Sequence, residues 1–349
     1  VTPGAADPRA VQACDAVVVG AGPCGIAAAI SLERAGLRSL VFDSGCVVNA
    51  ITQYPTYATF FSTAERLSLG GIPFIIADAK PTRRDALAYY RGVVQTTGIL
   101  VRQYETVTTI EGRREDFVVR STRHGRAFAT RCKYLVVATG YWGSPNLLRV
   151  PGEDLPHVHH VYREGHVAFQ QRAVVVGGGN SAAEAALDLW RSGSMVTLVH
   201  FGPTFDKRIK PWILPDVHNR LAEGSIAVRW NARVRAIDGE CVHLSLEGGA
   251  GDSLPADHVF LMTGFAPNVA LLHSIGVPID ATTGIPAHDP RTFESAVPGV
   301  FLAGVVVAGY DANKIFIENG RSHGDAIVAA LCGTAPPPAP GLSRELDGG

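Results

Sequence analysis

The sequence predicts an α/β fold made of two parallel-sheet units, one inserted into the other. Two observations carry this expectation. An apolar run, a glycine-rich turn, a small-residue helix and a second apolar run follow one another at 16–42, and the same order returns at 173–199. A parallel strand covered on both faces reads as an unbroken apolar run, and strands alternating with helices build a parallel sheet. The composition agrees: of 349 residues, 46% are hydrophobic and 18% charged, enough apolar material for two cores.

Each element has its own warrant. Ala16–Val19 is the first strand, Ile26–Ala35 the first helix and Ser39–Phe42 the second strand. Pro145, Pro151 and Pro156 punctuate a linker. Ala173–Val176, Ala182–Ser192 and Met195–Val199 repeat the first unit. A second crossing of the chain is expected near Thr263–Asn268. Val300–Leu302 gives a late strand and Asn313–Leu331 an amphipathic helix. The proline-rich stretch 334–349 predicts a flexible tail. The nested order makes 12–150 and 275–333 one discontinuous domain, with 151–274 inserted.

Several function classes are disfavoured at once. The net charge is -1 and no basic block is present, so no nucleic-acid partner is expected. Ala16–Leu32 is apolar, but Gly20, Gly22, Pro23 and Gly25 interrupt it, so it reads as strand, turn and helix and not as a membrane span. Residues 1–13 lack the apolar run of a secretory signal. The six cysteines form no C-x-x-C pair and show no zinc spacing, which predicts reduced thiols, a cytoplasmic compartment and no metal. His157, His159 and His160 read as a surface loop.

The glycine turns carry the chemistry. Gly20-Ala21-Gly22-Pro23-Cys24-Gly25 has the G-x-G-x-x-G spacing between strand and helix. Its first glycine permits the turn, its second lets backbone approach a pyrophosphate, and its third lets helix pack on strand. Asp43 closes the second strand, where a carboxylate holds a ribose hydroxyl. Gly177-Gly178-Gly179-Asn180-Ser181-Ala182 is the G-x-G-x-x-A variant. The residue matching Asp43 is His200, followed by Lys207, Arg208 and Lys210. A carboxylate repels a 2′-phosphate and basic groups bind it, so the second site is expected to take NADPH. Two such sites predict two Rossmann-like domains and a hydride relay from NADPH to a bound FAD.

The pair of fingerprints, Ala138-Thr139-Gly140, Thr263-Gly264 and Gly299-Val300-Phe301-Leu302-Ala303-Gly304 resemble the thioredoxin-reductase-like flavoproteins over about residues 14–333. This resemblance implies an FAD domain with an inserted NADPH domain and a homodimer. It adds Thr139, Gly140 and Gly304 to the FAD site and Gly264 to the NADPH site. A narrower set is similar to the bacillithiol disulfide reductases: Gly22-Pro23-Cys24-Gly25, 54–63, 209–216 and 315–321. It implies NADPH-dependent reduction of a small disulfide and places Tyr54 beside the flavin. Glu318, Asn319 and Arg321 would face either the flavin or a dimer partner. Two positions depart from the thioredoxin reductases. Val305 stands where an Asp holds the ribityl chain, and Phe201 stands where an Arg follows His200.

The disulfide chemistry has one candidate sulfur. Cys46 has no partner five residues on, because Ile51 is there. Cys24 lies in the first turn of the helix, whose N-terminus favours thiolate, and a thiolate attacks disulfides. The other reading of Cys24 is a small packing residue beneath the cofactor. Rival functions are a ferredoxin–NADP reductase, a flavin monooxygenase and a non-catalytic redox sensor. The partner is then a small disulfide or a small redox protein.

Overall fold

The structure, a computed structural model, describes residues 12–206, 209–311 and 314–335. Lys207, Arg208, Asn313 and nearly all of the expected tail lie outside the described residues. The chain divides into two compact units. One comprises the chain up to Thr52, Thr59–Ser144 and the chain from Ala266; the other comprises Gln53–Ala58 and Pro145–Phe265. Sequence reasoning puts the boundaries at 150/151 and 274/275. The residues between go with different units because Pro145 bridges Phe265 and the Asn146 amide N–H donates to the Gly264 carbonyl at 3.0 Å.

The first unit is built on a five-stranded parallel sheet. Its order is Val300–Leu302, Tyr134–Val137, Ala16–Val19, Ser39–Phe42 and Val101–Arg102. Alternation of side chains across a strand gives the sheet two apolar faces. Val17, Val19, Leu40, Phe42, Leu135 and Val137 pack on one face with Ile110, Phe117 and Val119. Those three belong to an antiparallel layer of Thr106–Arg113, Asp116–Arg123 and Arg126–Cys132, edged by Gln12–Ala13. Ala16, Val18, Val41 and Val136 are buried too. They serve the opposite face, where Pro23–Arg34 packs on the sheet and on the helix His323–Cys332. Each large apolar side chain buried this way contributes roughly 1.5–3 kcal/mol.

The second unit repeats the plan. Its parallel sheet runs Ala227–Arg229, Met195–Val199, Arg172–Val176, His258–Leu261 and Val158–His159. Ala173, Val175, Val196, Leu198 and Phe260 pack with the apolar face of helix Asn180–Arg191. Val174, Val176, Val199, Val259 and Leu261 pack with Ile237, Val242 and Leu254 of an antiparallel layer. That layer joins Ala232–Ile237, Cys241–Leu246 and Gly251–Pro255.

Three expected helices are re-bounded, Ala182–Ser192 by one or two residues to Asn180–Arg191. The first begins at Pro23, three residues before the apolar pattern, because proline fits the first helical position, where its missing N–H goes unused. The expected helix 313–331 is two pieces, Ile317–Gly320 and His323–Cys332. Phe316 is extended (φ -114, ψ -177), which ends the helical run before Ile317. Between the pieces, the Asp325 N–H donates to the Ser322 carbonyl at 3.2 Å, a tightened first turn.

Candidate functional site

The first glycine turn has the shape its spacing predicts. Gly20 lies at φ +112, and a Cβ there would fall 2.3 Å from the Ala138 carbonyl oxygen. A Cβ on Gly25 would fall 1.9 Å from the Gly20 oxygen. These two positions therefore hold strand against helix. Gly22 differs: a Cβ there would meet nothing within 4 Å. Gly22 is also the N-cap of Pro23–Arg34, and no side chain caps that end. Open space before uncapped N–H groups is what a pyrophosphate requires.

Asp43 closes the turn from the neighbouring strand. Its Oδ2 accepts the Ala21 N–H and its Oδ1 accepts the Gly45 N–H, each at 2.8 Å. Burial raises its pKa, against the lowering effect of those two donors. A carboxylate offers about four lone-pair sites, so capacity remains for a ribose hydroxyl. Beside Gly20 stands Thr139, whose buried Oγ1 has no hydrogen-bond partner among the described residues. Gly140 follows at φ +67 with open space where its Cβ would be. A buried hydroxyl with no acceptor or donor calls for a polar ligand group. These residues fit an FAD.

Cys24 sits behind this turn, in a seat made by two glycines. A Cβ on Gly304 (φ +77) would fall 3.1 Å from the Cys24 sulfur, and one on Gly320 would fall 2.7 Å from it. The thiolate expected at a helix N-terminus is not favoured here. Burial, followed by the negative charge of Glu318, pushes the Cys24 thiol up to about 12. Burial outweighs the helix end because the sulfur would lose its hydration on ionising. Glu318 itself accepts the Ser62 hydroxyl at 2.5 Å. Gly304 is fixed from its other side by His323, whose Nδ1 accepts the Gly304 N–H at 3.2 Å. Among the described residues, Arg321 is tied to the Ser68 and Glu65 carbonyls, and Asn319 to the Phe316 N–H and the Lys314 carbonyl.

Tyr54 belongs to 53–58, a segment that packs with the second unit. The Thr56 N–H donates to the Arg163 carbonyl at 2.8 Å, and the Arg163 guanidinium donates to Gln53 Oε1 at 2.5 Å.

The second glycine turn copies the first. Gly177 lies at φ +146, and a Cβ there would fall 2.4 Å from the Met262 oxygen and 3.1 Å from the buried Ala182 Cβ. Gly179 is open except for an Asp206 carboxylate oxygen at 3.4 Å. It is the N-cap of Asn180–Arg191, again without a side-chain cap. Ser181 is exposed in the first turn. The Asn180 Oδ1 accepts the Lys210 N–H at 2.7 Å and so fastens the following loop. Gly264 (φ +83) lies in the turn where Asn146 and Thr263 exchange hydrogen bonds of 3.2 and 2.7 Å.

His200 has a different part from the expected cation. It is 4% exposed, and its ring occupies the space where a Gly178 Cβ would be, within 2.3 Å of that position. Burial, and then the charge of Arg233, lower its pKa, while Asp206 at 3.8 Å opposes them. The ring is therefore a neutral plug beneath the turn. Lys210 is not free either: its ammonium pairs with Glu184 at 2.5 Å. Sequence reasoning missed Arg233, whose guanidinium lies 4.9 Å above the Phe201 ring. Arg233 comes from the antiparallel layer, and no spacing in the chain links it to the fingerprint. His323 was missed for the same reason.

Among the described residues, no cluster of three or more His, Cys, Asp or Glu could hold a metal ion. His159 and His258 do meet, at 3.3 Å, but as a pair. No helix among the described residues is long and apolar enough to cross a membrane.

The chain is similar to known proteins along most of its length. It is 43% identical over 318 residues to the bacilliredoxin reductase of Bacillus subtilis (strain 168), covering 90% of this chain and 97% of that one. The bacillithiol disulfide reductase structure from Bacillus cereus superposes with a TM-score of 0.90 at 42% identity, covering 92% of this chain and 99% of that one. The Staphylococcus aureus structure of the same title gives 0.88 at 38% identity, covering 93% and 99%. The fold is thioredoxin-reductase-like. A family model described as pyridine nucleotide-disulphide oxidoreductase matches residues 17–304, from the first strand to the glycine that seats Cys24. The chain is thus a member of the pyridine nucleotide-disulphide oxidoreductases, enzymes that work with FAD and NAD(P)H.

Proposed function

We propose that this enzyme uses NADPH to reduce the disulfide of a low-molecular-weight thiol, bacillithiol disulfide or a close analogue. In balance, one NADPH and one proton convert one disulfide to two thiols. The observation that carries this reading is Cys24, a single sulfur seated at the first glycine turn, with no second cysteine at C-x-x-C or C-x4-C spacing. A lone thiol suits a small disulfide that brings both sulfurs itself. Both solved relatives are named for the same substrate class.

Gly22 would leave the FAD pyrophosphate its room at the start of Pro23–Arg34 while Gly20 and Gly25 keep strand against helix, Asp43 would take a ribose hydroxyl, and Thr139 would supply its unused hydroxyl. Gly177, Gly179, Asn180 and Ser181 hold the NADPH pyrophosphate in the same way. When bound, the flavin accepts a hydride from nicotinamide and gives up two electrons to the disulfide. Cys24 attacks one substrate sulfur, forms a mixed disulfide and releases the first thiol; two electrons then cleave that bond and free the second. The thiol must lose its proton first, a loss that its burial and the nearby Glu318 charge both oppose. We also read the enzyme as a cytoplasmic homodimer, which sedimentation of the FAD-loaded protein tests.

The central test is anaerobic. NADPH should bleach the flavin absorbance, and bacillithiol disulfide should restore it. Restoration by ferredoxin alone, by oxygen with an organic substrate alone, or no bleaching at all would each overturn the reading.

A further inference from the structure

We propose that Arg233, stacked on Phe201, is the residue that recognises the 2′-phosphate of NADPH; this rests on the NADPH reading above. The position after the second strand of a dinucleotide unit faces the adenosine ribose. Here that position is His200, and it carries no dependable charge, because burial and Arg233 keep the ring neutral. The residue after it, Phe201, is 60% exposed and has no charge to offer.

Charge reaches this corner from the antiparallel layer instead. Arg233 is the second residue of strand Ala232–Ile237, whose first residue is tied back to the fingerprint strand by the Ala232 N–H on the His200 carbonyl at 3.0 Å. The Arg233 side chain is exposed, and its guanidinium carbon lies over the Phe201 ring, 4.9 Å from the centroid. A cation held over an aromatic ring keeps its N–H donors for a phosphate, which an arginine fork takes in two parallel hydrogen bonds.

Two neighbouring cations among the described residues are already spent. Arg229 pairs with Asp252 at 2.8 Å and Lys210 with Glu184 at 2.5 Å. Arg233 makes no ion pair among the described residues. Asp206, the carboxylate next to Gly179 and 3.8 Å from His200, disfavours a dianion at this end of the site, so a phosphate here needs a cation. The exposed aromatic at 201 is thus the platform for an arginine donated by another strand, in place of an arginine in sequence.

The test compares wild type, Arg233→Ala, Arg233→Lys and, as a control, Arg235→Ala, which lies across the register shift between Val234 and Ala236. Two readouts are taken on the FAD-loaded protein: the kcat/KM ratio of NADPH over NADH, and calorimetric binding of 2′,5′-ADP against 5′-ADP. Loss of a charge-assisted phosphate contact should cut the ratio and the 2′,5′-ADP affinity by about 10- to 100-fold. Arg233→Lys should fall between, since it keeps the charge but loses the fork, and Arg235→Ala should match wild type. A wild-type enzyme with no preference for NADPH would overturn the NADPH reading itself. A wild-type preference that survives in Arg233→Ala, in both readouts, would overturn the assignment of Arg233 alone.

Discussion

His323 should make the flavin unit sensitive to mild acid. It is 4% exposed, its ring stacks on Phe293 at 3.9 Å, and its Nδ1 accepts the N–H of Gly304. That bond needs an unprotonated Nδ1; a proton there would turn the acceptor into a donor facing a donor. Burial, with a smaller push from His288, brings the imidazole down from 6.5 to about 4. The folded state therefore binds this proton less readily than the unfolded chain does. Its contribution to stability is fully present above pH 6.5 and is lost as pH falls towards 4. At 1.36 kcal/mol per unit, the loss is about 3 kcal/mol. Urea unfolding of the FAD-loaded protein, followed by circular dichroism between pH 7.5 and 4.5, measures it. His323→Phe keeps an aromatic stack on Phe293 and removes the titration. Wild type should lose most of that 3 kcal/mol relative to the variant across the range. Parallel stability curves for the two proteins would refute the reasoning, because the titrating group would then lie elsewhere.

The remaining predictions concern the two glycine turns and the thiol. Gly20→Ala forces a Cβ against the Ala138 carbonyl at positive φ, a strain of about 1–3 kcal/mol before the clash is counted, and should yield protein with little flavin absorbance. Gly177→Ala does the same in the second unit; it should keep the yellow colour and raise KM for NADPH, and a colourless product would refute the assignment of the two ligands. Cys24→Ser should keep FAD and NADPH-driven bleaching but lose disulfide turnover by about 100-fold or more, since it removes the nucleophile. Undiminished turnover would take Cys24 out of the reaction. With the thiol pushed up to about 12, the thiolate fraction rises tenfold per pH unit well below that value, so single-turnover reoxidation by the disulfide should accelerate from pH 6 to 9. A flat profile would show that the proton is not on this sulfur.

What was legible in the sequence was what local spacing encodes. The strands Ala16–Val19, Ser39–Phe42 and Met195–Val199 are where their apolar runs put them, since a buried parallel strand has no other pattern to show. The spacing of Gly20, Gly22 and Gly25 encodes one turn of chain, which is closed to a Cβ at Gly20 and Gly25 and open at Gly22. The antiparallel layers were not read, because Thr106–Arg113 exposes most of its residues and Ala232–Ile237 fully buries only its two ends. The charge state of a side chain was not legible either. Sequence put Cys24 at a helix end and His200 beside basic residues, and both inferences ignored burial. The seat between Gly304 and Gly320, and the plug under Gly178, are made by residues distant in the chain. Arg233 and His323 act at sites whose motifs lie far from them, so only the fold could bring them there.

The two units show how one backbone device acquires two ligands. Both turns pair a closed first glycine with an open glycine before an uncapped helix, so neither backbone discriminates between dinucleotides. The difference lies at the end of the second strand. In the first unit Asp43 is pinned to the turn by the Ala21 and Gly45 N–H groups; it can accept ribose hydroxyls, and it repels a phosphate placed there. In the second unit the equivalent His200 is a neutral ring, which neither repels a phosphate nor binds one strongly. Removing the acid permits NADPH without selecting it. Selection then needs a positive group from outside the motif, and we assign that part to Arg233, which lies over Phe201 and has no carboxylate partner among the described residues.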